Sequence, residues 1–263
     1  MASVKDILAH LNQIAPVAMA MDRDNVGHLV GRRDAEVTRV LVALDATETI
    51  IDEAIDLGAE LIVAHHPVIF DSLRQVTDND STGRRVLKLA RHDIAMICMH
   101  TNLDIAAGGV NDVLAEALGL SGTEILWKMG ELDGTAYGLG RVGDLPAPIT
   151  MADFLAQVKA AVGSAGLRYY DAGRPVQRVA VLGGGGEDGL PMAVAAGCDA
   201  FVLGDARYHI FQEAQACGIS LIEADHYCTE NLISEPLKES ISTAFPGVEV
   251  TVSTRQGQVA KFF

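Results

Sequence analysis

The sequence predicts an α/β protein: two related three-layer α/β halves with mainly parallel strands, and a metal site in the cleft between them. Three observations predict it. Short apolar, β-branched runs alternate with capped helical segments, the pattern of βαβ units. The first part of the chain returns in outline in the last third. Histidines and carboxylates gather just past strand ends, where open α/β sheets bind ligands.

The elements follow in order. Ser3 with Asp6 is an N-cap signal for a helix reaching Ile14. Val40 to Leu44 reads as a buried strand, and Thr47 caps a helix that stops at Gly58, a C-terminal glycine. Leu61 to Ala64 is the next strand, followed by a polar loop from Asp71 to Asp80. A helix from Thr82 to Arg91 and the strand Ile94 to Cys98 lead to His100. Gly108 and Gly109 precede a helix that ends at Gly119. From Trp127 to Pro175 the chain is richer in Gly and Pro, with one clear helix, Met151 to Val162. That stretch reads as a connector or small subdomain. Beyond it, Arg178-Val179-Ala180-Val181 echoes Arg39-Val40-Leu41-Val42, and the run Gly197 to Val202 echoes Gly58 to Val63. The expected organisation is a first half over 1–125, a connector over 126–176 and a second half over 177–263.

Composition narrows the function. A formal net charge of −15 over 263 residues argues against a broad phosphate-binding surface, so nucleic acid is not an expected partner. A cationic site made by bound ions survives that argument. There is no basic segment followed by an apolar one at the N-terminus, and no apolar run of the ~20 residues a membrane helix needs. The four cysteines show no paired spacing, so reduced thiols in a cytoplasm are expected.

His65 and His66 close the strand Leu61 to Ala64 just before Pro67. Consecutive strand residues point to opposite sides, so the pair does not easily grip one ion from the same direction but can offer one imidazole to each of two neighbouring ions. Further candidate ligands fall at equivalent places: His100 and Asp104, Asp205 with His209, and His226 with Glu230 four residues on. Glu230 can bridge two cations and Asp104 can bind one terminally. Imidazoles with carboxylates suit two divalent ions of Zn, Fe, Mn, Co or Ni better than Ca or Mg, and spacing does not choose among them. Two such ions would leave positive charge for an anionic substrate and could activate a shared water. Taken singly, each residue has a plainer reading. A strand-end histidine is commonly a hydrogen-bonded polar group, and Asp104 or Glu230 could be a surface helix carboxylate. His10 and His92 lie on polar helix positions, and His28 reads as a loop residue or a site lining. Gly183 to Gly186 could cradle a phosphate or serve as a flexible turn.

Several segments together resemble a known family. Asp24-Asn25-Val26-Gly27, Leu44-Asp45-Ala46-Thr47, Ala64-His65-His66-Pro67, His100 to Asp104, Gly108 to Asp112, Gly204-Asp205 with His209, and His226 to Glu230 are similar, in order, to the Nif-three-like proteins. These are also called GTP cyclohydrolase I type 2 homologues or dinuclear metal centre hexameric proteins. The resemblance implies two metal ions held by His65, His66, Asp104, His226 and Glu230, with the glutamate bridging. It implies that His100 moves a proton or sits behind the ligands, and that Asn25, Asp45, Thr101, Asp205 and His209 surround the site. It further implies a toroidal homohexamer and a small-molecule ligand, a nucleotide or phosphorylated compound. The activity so implied is a metal-dependent hydrolase, GTP cyclohydrolase-like or a phosphoesterase, with His100 or Asp205 as acid or base. A metal-handling or scaffold protein without turnover is the alternative. Many relatives have Gly-His where this chain has Asp225-His226, which places an extra carboxylate near the expected ions.

Overall fold

In the computed structural model, which describes residues 2–262, β1 (Ala2–Ser3) enters α1 (Val4–Ile14) through a closed capping box. The Asp6 N–H donates to Ser3 Oγ, and the Ser3 N–H donates to Asp6 Oδ2 at 2.9 Å. Then come β2 (Gly27–Val30), β3 (Glu36–Val37) and β4 (Arg39–Ala43). Thr47 caps α2 (Glu48–Leu57), which Gly58 ends at φ 66°, where a side chain would be strained. After β5 (Leu61–Ala64), Asp80 caps α3 (Ser81–Arg91). β6 (Ala95–Cys98), α4 (Thr101–Ile105) and α5 (Val110–Ala117) follow. The middle of the chain holds β7 (Ser121–Leu132), β8 (Thr135–Ile149), α6 (Met151–Val162) and β9 (Arg168–Tyr170). Next are β10 (Val176–Leu182), α7 (Leu190–Ala195), β11 (Ala200–Leu203) and α8 (Tyr208–Cys217). β12 (Ser220–Glu223), α9 (His226–Glu230), α10 (Ser234–Ala244) and β13 (Glu249–Val252) complete the order.

The chain divides into two compact units. One comprises the residues through Leu103 together with Ile233–Gly257, the other Asp104–Leu232 and the residues after Gly257. In the first unit the sheet runs β13-β4-β5-β6-β2, with only β2 antiparallel. Leu41, Ile62 and Met96 pack with Ile50, Ile51 and Leu89 of α2 and α3 in one core. Their strand neighbours Val42, Leu61, Val63 and Ile97 are equally buried, so the sheet is covered on both faces, as parallel sheets require.

In the second unit the order is β7-β8-β10-β11-β12-β9, with β10, β11 and β12 parallel. Val179, Val181, Val202 and Ile222 share a core with Phe154 and Val158 of α6. The alternate residues Ala180, Phe201 and Leu221 are also buried. The internal repeat is visible in topology. In each sheet three consecutive parallel strands (β4, β5, β6; β10, β11, β12) are flanked at the third by an antiparallel strand that precedes them in the chain.

Two boundaries differ from the sequence expectation. The stretch 126–176 is not a separate connector, because β8 pairs antiparallel with β10 and extends the second sheet. Within 177–263, β13 pairs parallel with β4 and belongs to the first sheet, so the halves are not consecutive segments. The C-terminal segment is held there by Glu53 of α2, whose carboxylate accepts from the Thr254 N–H and Oγ1 at 2.8 Å and from Ser253 Oγ. Among the described residues no helix is long and apolar enough to cross a membrane, and no disulfide joins the four cysteines.

Candidate metal centre

Backbone geometry brings three histidines together in the first unit. β5 ends at Ala64 and β6 at Cys98, so His65, His66 and His100 all lie past strand ends. Strand alternation therefore does not set the directions of His65 and His66. Their ring centroids are 5.0 Å apart, and each lies 5.2–5.5 Å from that of His100. One ring nitrogen from each of the three falls within 4.8 Å of the other two.

Each ring is oriented through Nδ1. His65, fully buried, contacts the Met99 carbonyl at 2.7 Å; His66 contacts Asp45 Oδ1 at 2.9 Å; His100 contacts Asp24 Oδ1 at 2.8 Å. An oxygen acceptor at Nδ1 fixes the ring plane and, in a neutral ring, would hold the proton there and make Nε2 the ligating nitrogen. This is how metal-binding histidines are commonly fixed. Thr101 and Asn25 work one layer back. Thr101 Oγ1 donates to Asp24 Oδ2 at 2.5 Å, and Asn25 Nδ2 donates to the Ile69 carbonyl at 2.6 Å, tying down the loop after Pro67.

The second unit holds a cluster of its own. Asp104 follows on α4, and α9 carries His226 and Glu230 at its two ends. An oxygen of Asp104 lies within 4.8 Å of one on Glu230, and Glu230 Oε2 is 3.0 Å from His226 Nε2. His226 repeats the arrangement of the other three rings, with Nδ1 2.7 Å from Asp205 Oδ2. The Asp205 and Glu230 carboxylates, outweighing burial, push His226 up to about 10. Asn111 couples two parts of this cluster. Its Nδ2 donates to the Asp104 carbonyl at 2.9 Å, and its Oδ1 accepts from the Gly183 N–H at 3.0 Å.

The four glycines, Gly183 to Gly186, serve a different purpose from the phosphate cradle considered above. The Gly183 N–H is taken by Asn111, that of Gly184 by Thr229 Oγ1 at 3.1 Å, and that of Gly186 by the Gly184 carbonyl. Three of the four amides are therefore unavailable to an anion. What the run provides is room: a Cβ on Gly184 would lie 1.9 Å from Glu230 Oε1 and 3.3 Å from His226 Nε2. The buried carboxylate sits against a bare backbone.

Other expected neighbours are placed less centrally. His209 is exposed on the first turn of α8, outside this hydrogen-bond set. The Asp225 carboxylate is occupied away from the ligands, accepting from the Cys228 N–H at 3.0 Å and from Gln258 Nε2. His28 is a β2 residue and does not join the cluster. Burial, then the Asp225 charge, push the Cys228 thiol up to about 12, so it remains protonated and is a poor ligand.

Sequence reasoning missed Asp24, Asn111, Thr229 and the reason for Gly184. Asp24 entered only as the first residue of the family-like segment Asp24-Asn25-Val26-Gly27, with no role of its own. Burial raises its carboxyl, but hydrogen bonds from His100 and Thr101 prevail and hold it well below the usual carboxylate range. The sign follows. A depressed folded-state value contributes stability above the unfolded value of about 4, lost as pH falls below that. Asp24→Asn is expected to cost about 1–3 kcal/mol at pH 7 and to flatten the acid limb of the stability curve, as urea unfolding at several pH values would show.

These side chains and sheets define an α/β protein of two related halves whose histidines, held through Nδ1, and buried carboxylates suit a possible metal site. The donor set fits borderline divalent ions. A family profile described as Duf34/NIF3 (NGG1p interacting factor 3) matches residues 2–258. A protein of Streptomyces coelicolor named "GTP cyclohydrolase 1 type 2 homolog" is 37% identical over 234 residues, covering 88% of this chain and 82% of its own. One of the same name from Clostridium perfringens is 34% identical over 245 residues, covering 91% and 93%. The crystal structure of a Bacillus cereus protein related to NIF3 superposes with a TM-score of 0.94 at 25% identity, covering 100% of this chain and 99% of that one. The chain belongs to the Duf34/NIF3 family.

Proposed function

We propose that this chain is a metal-dependent hydrolase holding two divalent ions through His65, His66, Asp104, His226 and Glu230. Its substrate on this reading is a nucleotide or another phosphorylated small molecule. The observation that carries the reading is the shared orientation of four histidines, each bound at Nδ1 by an oxygen acceptor. Purely structural histidines have no reason to adopt one arrangement four times.

A divalent pair, when bound, would make a water acidic near neutral pH and offset charge building on the substrate. The chain's own residues do the rest. Glu230 has two oxygens to share, and Gly184 keeps the space it needs. On this reading His100 moves the proton: with Asp24 at Nδ1, Nε2 would accept it and the carboxylate would steady the imidazolium formed. Asp205 is committed to orienting His226. The name borne by the relatives makes GTP the first substrate to try. The family resemblance supports a cytoplasmic homohexameric ring as the working form.

Chelator-stripped protein should regain turnover of GTP or of a general phosphoester when Zn, Mn, Fe, Co or Ni is restored. Formate and phosphate release report the two chemistries separately. Full activity in metal-free protein would refute the proposal. Tight metal binding with no turnover of any phosphorylated metabolite would favour metal handling instead.

A further inference from the structure

We infer that Asp225 and Gln258 are positioning residues that set the angle at which α9 presents His226 and Glu230. The inference rests on the reading that α9 carries metal ligands. Asp225 has φ 77° and ψ 132°, a backbone conformation open to glycine and costly for any side chain. It is also the residue immediately before His226, so any relaxation of its backbone swings the first turn of α9. That helix is five residues long and continues directly into a 3-10 turn, Asn231–Ile233, so Asp225 is the joint at its free end.

The strained residue is tied down from both sides. Its Oδ1 accepts from the Cys228 N–H at 3.0 Å, and its carbonyl accepts from the Thr229 N–H at 3.0 Å and Thr229 Oγ1 at 2.9 Å. Its Oδ2 accepts from Gln258 Nε2, in the C-terminal segment. Gln258 is itself braced: its Oε1 accepts from the Ala260 N–H at 2.7 Å, and its carbonyl accepts from Lys261 Nζ at 2.9 Å. Backbone strain at Asp225 thus persists because the end of the chain clamps the carboxylate. Removing the clamp should let the backbone relax and carry His226 off Asp205, and Glu230 off the Gly184 backbone.

The logic gives a cycle. Gln258→Ala should weaken Zn2+ affinity about tenfold, measured in the full chain by competition with a chromophoric chelator. It should also speed hydrogen exchange at the Cys228 and Thr229 amides about tenfold in metal-free protein. In an Asp225→Gly background, where φ 77° carries no side-chain penalty, Gln258→Ala should change neither quantity. Equal effects in both backgrounds, or no effect in either, would overturn the inference. If the wild-type chain binds no Zn2+, the metal reading fails on its own account, and amide exchange still decides this one.

Discussion

Gly184→Ala is expected to destabilise the protein by about 2–4 kcal/mol and, on the proposed function, to abolish metal binding. Two effects add. Gly184 has φ +66°, where alanine is strained, and the new Cβ would lie 1.9 Å from Glu230 Oε1 and 2.9 Å from Cδ. The space around it offers no retreat, because the Gly204 backbone is packed against the other side. A Cβ on Gly204 would already lie 2.5 Å from the Gly184 carbonyl. Glu230 must then move, and with it the contact to His226. Gly185→Ala is the control one residue away. Nothing lies within 4 Å of its Cβ, so its cost should stay within about 0.5 kcal/mol. Urea unfolding and metal stoichiometry on both variants check the pair. Similar losses in the two would mean that the run is merely a glycine-rich turn.

If the proposed function holds, His66→Ala should abolish metal-dependent turnover and lower metal affinity by at least about 100-fold, more than loss of a residue that only orients a ligand. His66 is partly exposed and makes its contact to Asp45 at the surface of the cluster, so the fold should tolerate its removal. Asp45→Asn tests the orienting step separately. It should cost about 10–100-fold in affinity by loosening the tautomer of His66. His92→Ala, at an exposed helix end, should leave affinity untouched. Isothermal titration with Zn2+ or Mn2+ reads all three. An unchanged affinity in His66→Ala would remove His66 from the ligand set.

Much of this was legible in the sequence where local chemistry governs. Ser3 and Asp6, Thr47 and Gly58 end helices through their own side chains or lack of one, and all act as the sequence indicates. The helix Met151–Val162 matches its expected limits. What escaped depends on neighbours distant in the chain. β7 and β8 read as a connector because of their glycines and prolines, yet some of those glycines sit where the paired strands pack closely. A Cβ on Gly138 would lie 2.0 Å from the Trp127 carbonyl, and one on Gly130 2.6 Å from the Tyr137 hydroxyl. The pairing of β13 with β4 spans some two hundred residues and leaves no periodic trace. At the site, residue types at strand ends were informative. The partners that orient them, Asp24 for His100 and the Met99 carbonyl for His65, emerge only from folding.

A crystal grown with Mn2+ and measured at the metal's absorption edge tests the central idea most directly. Two anomalous peaks about 3.5–4 Å apart should appear, with His65, His66, Asp104, His226 and Glu230 as the protein ligands. A single peak, or ions bound without either the histidine pair or Glu230, would contradict it.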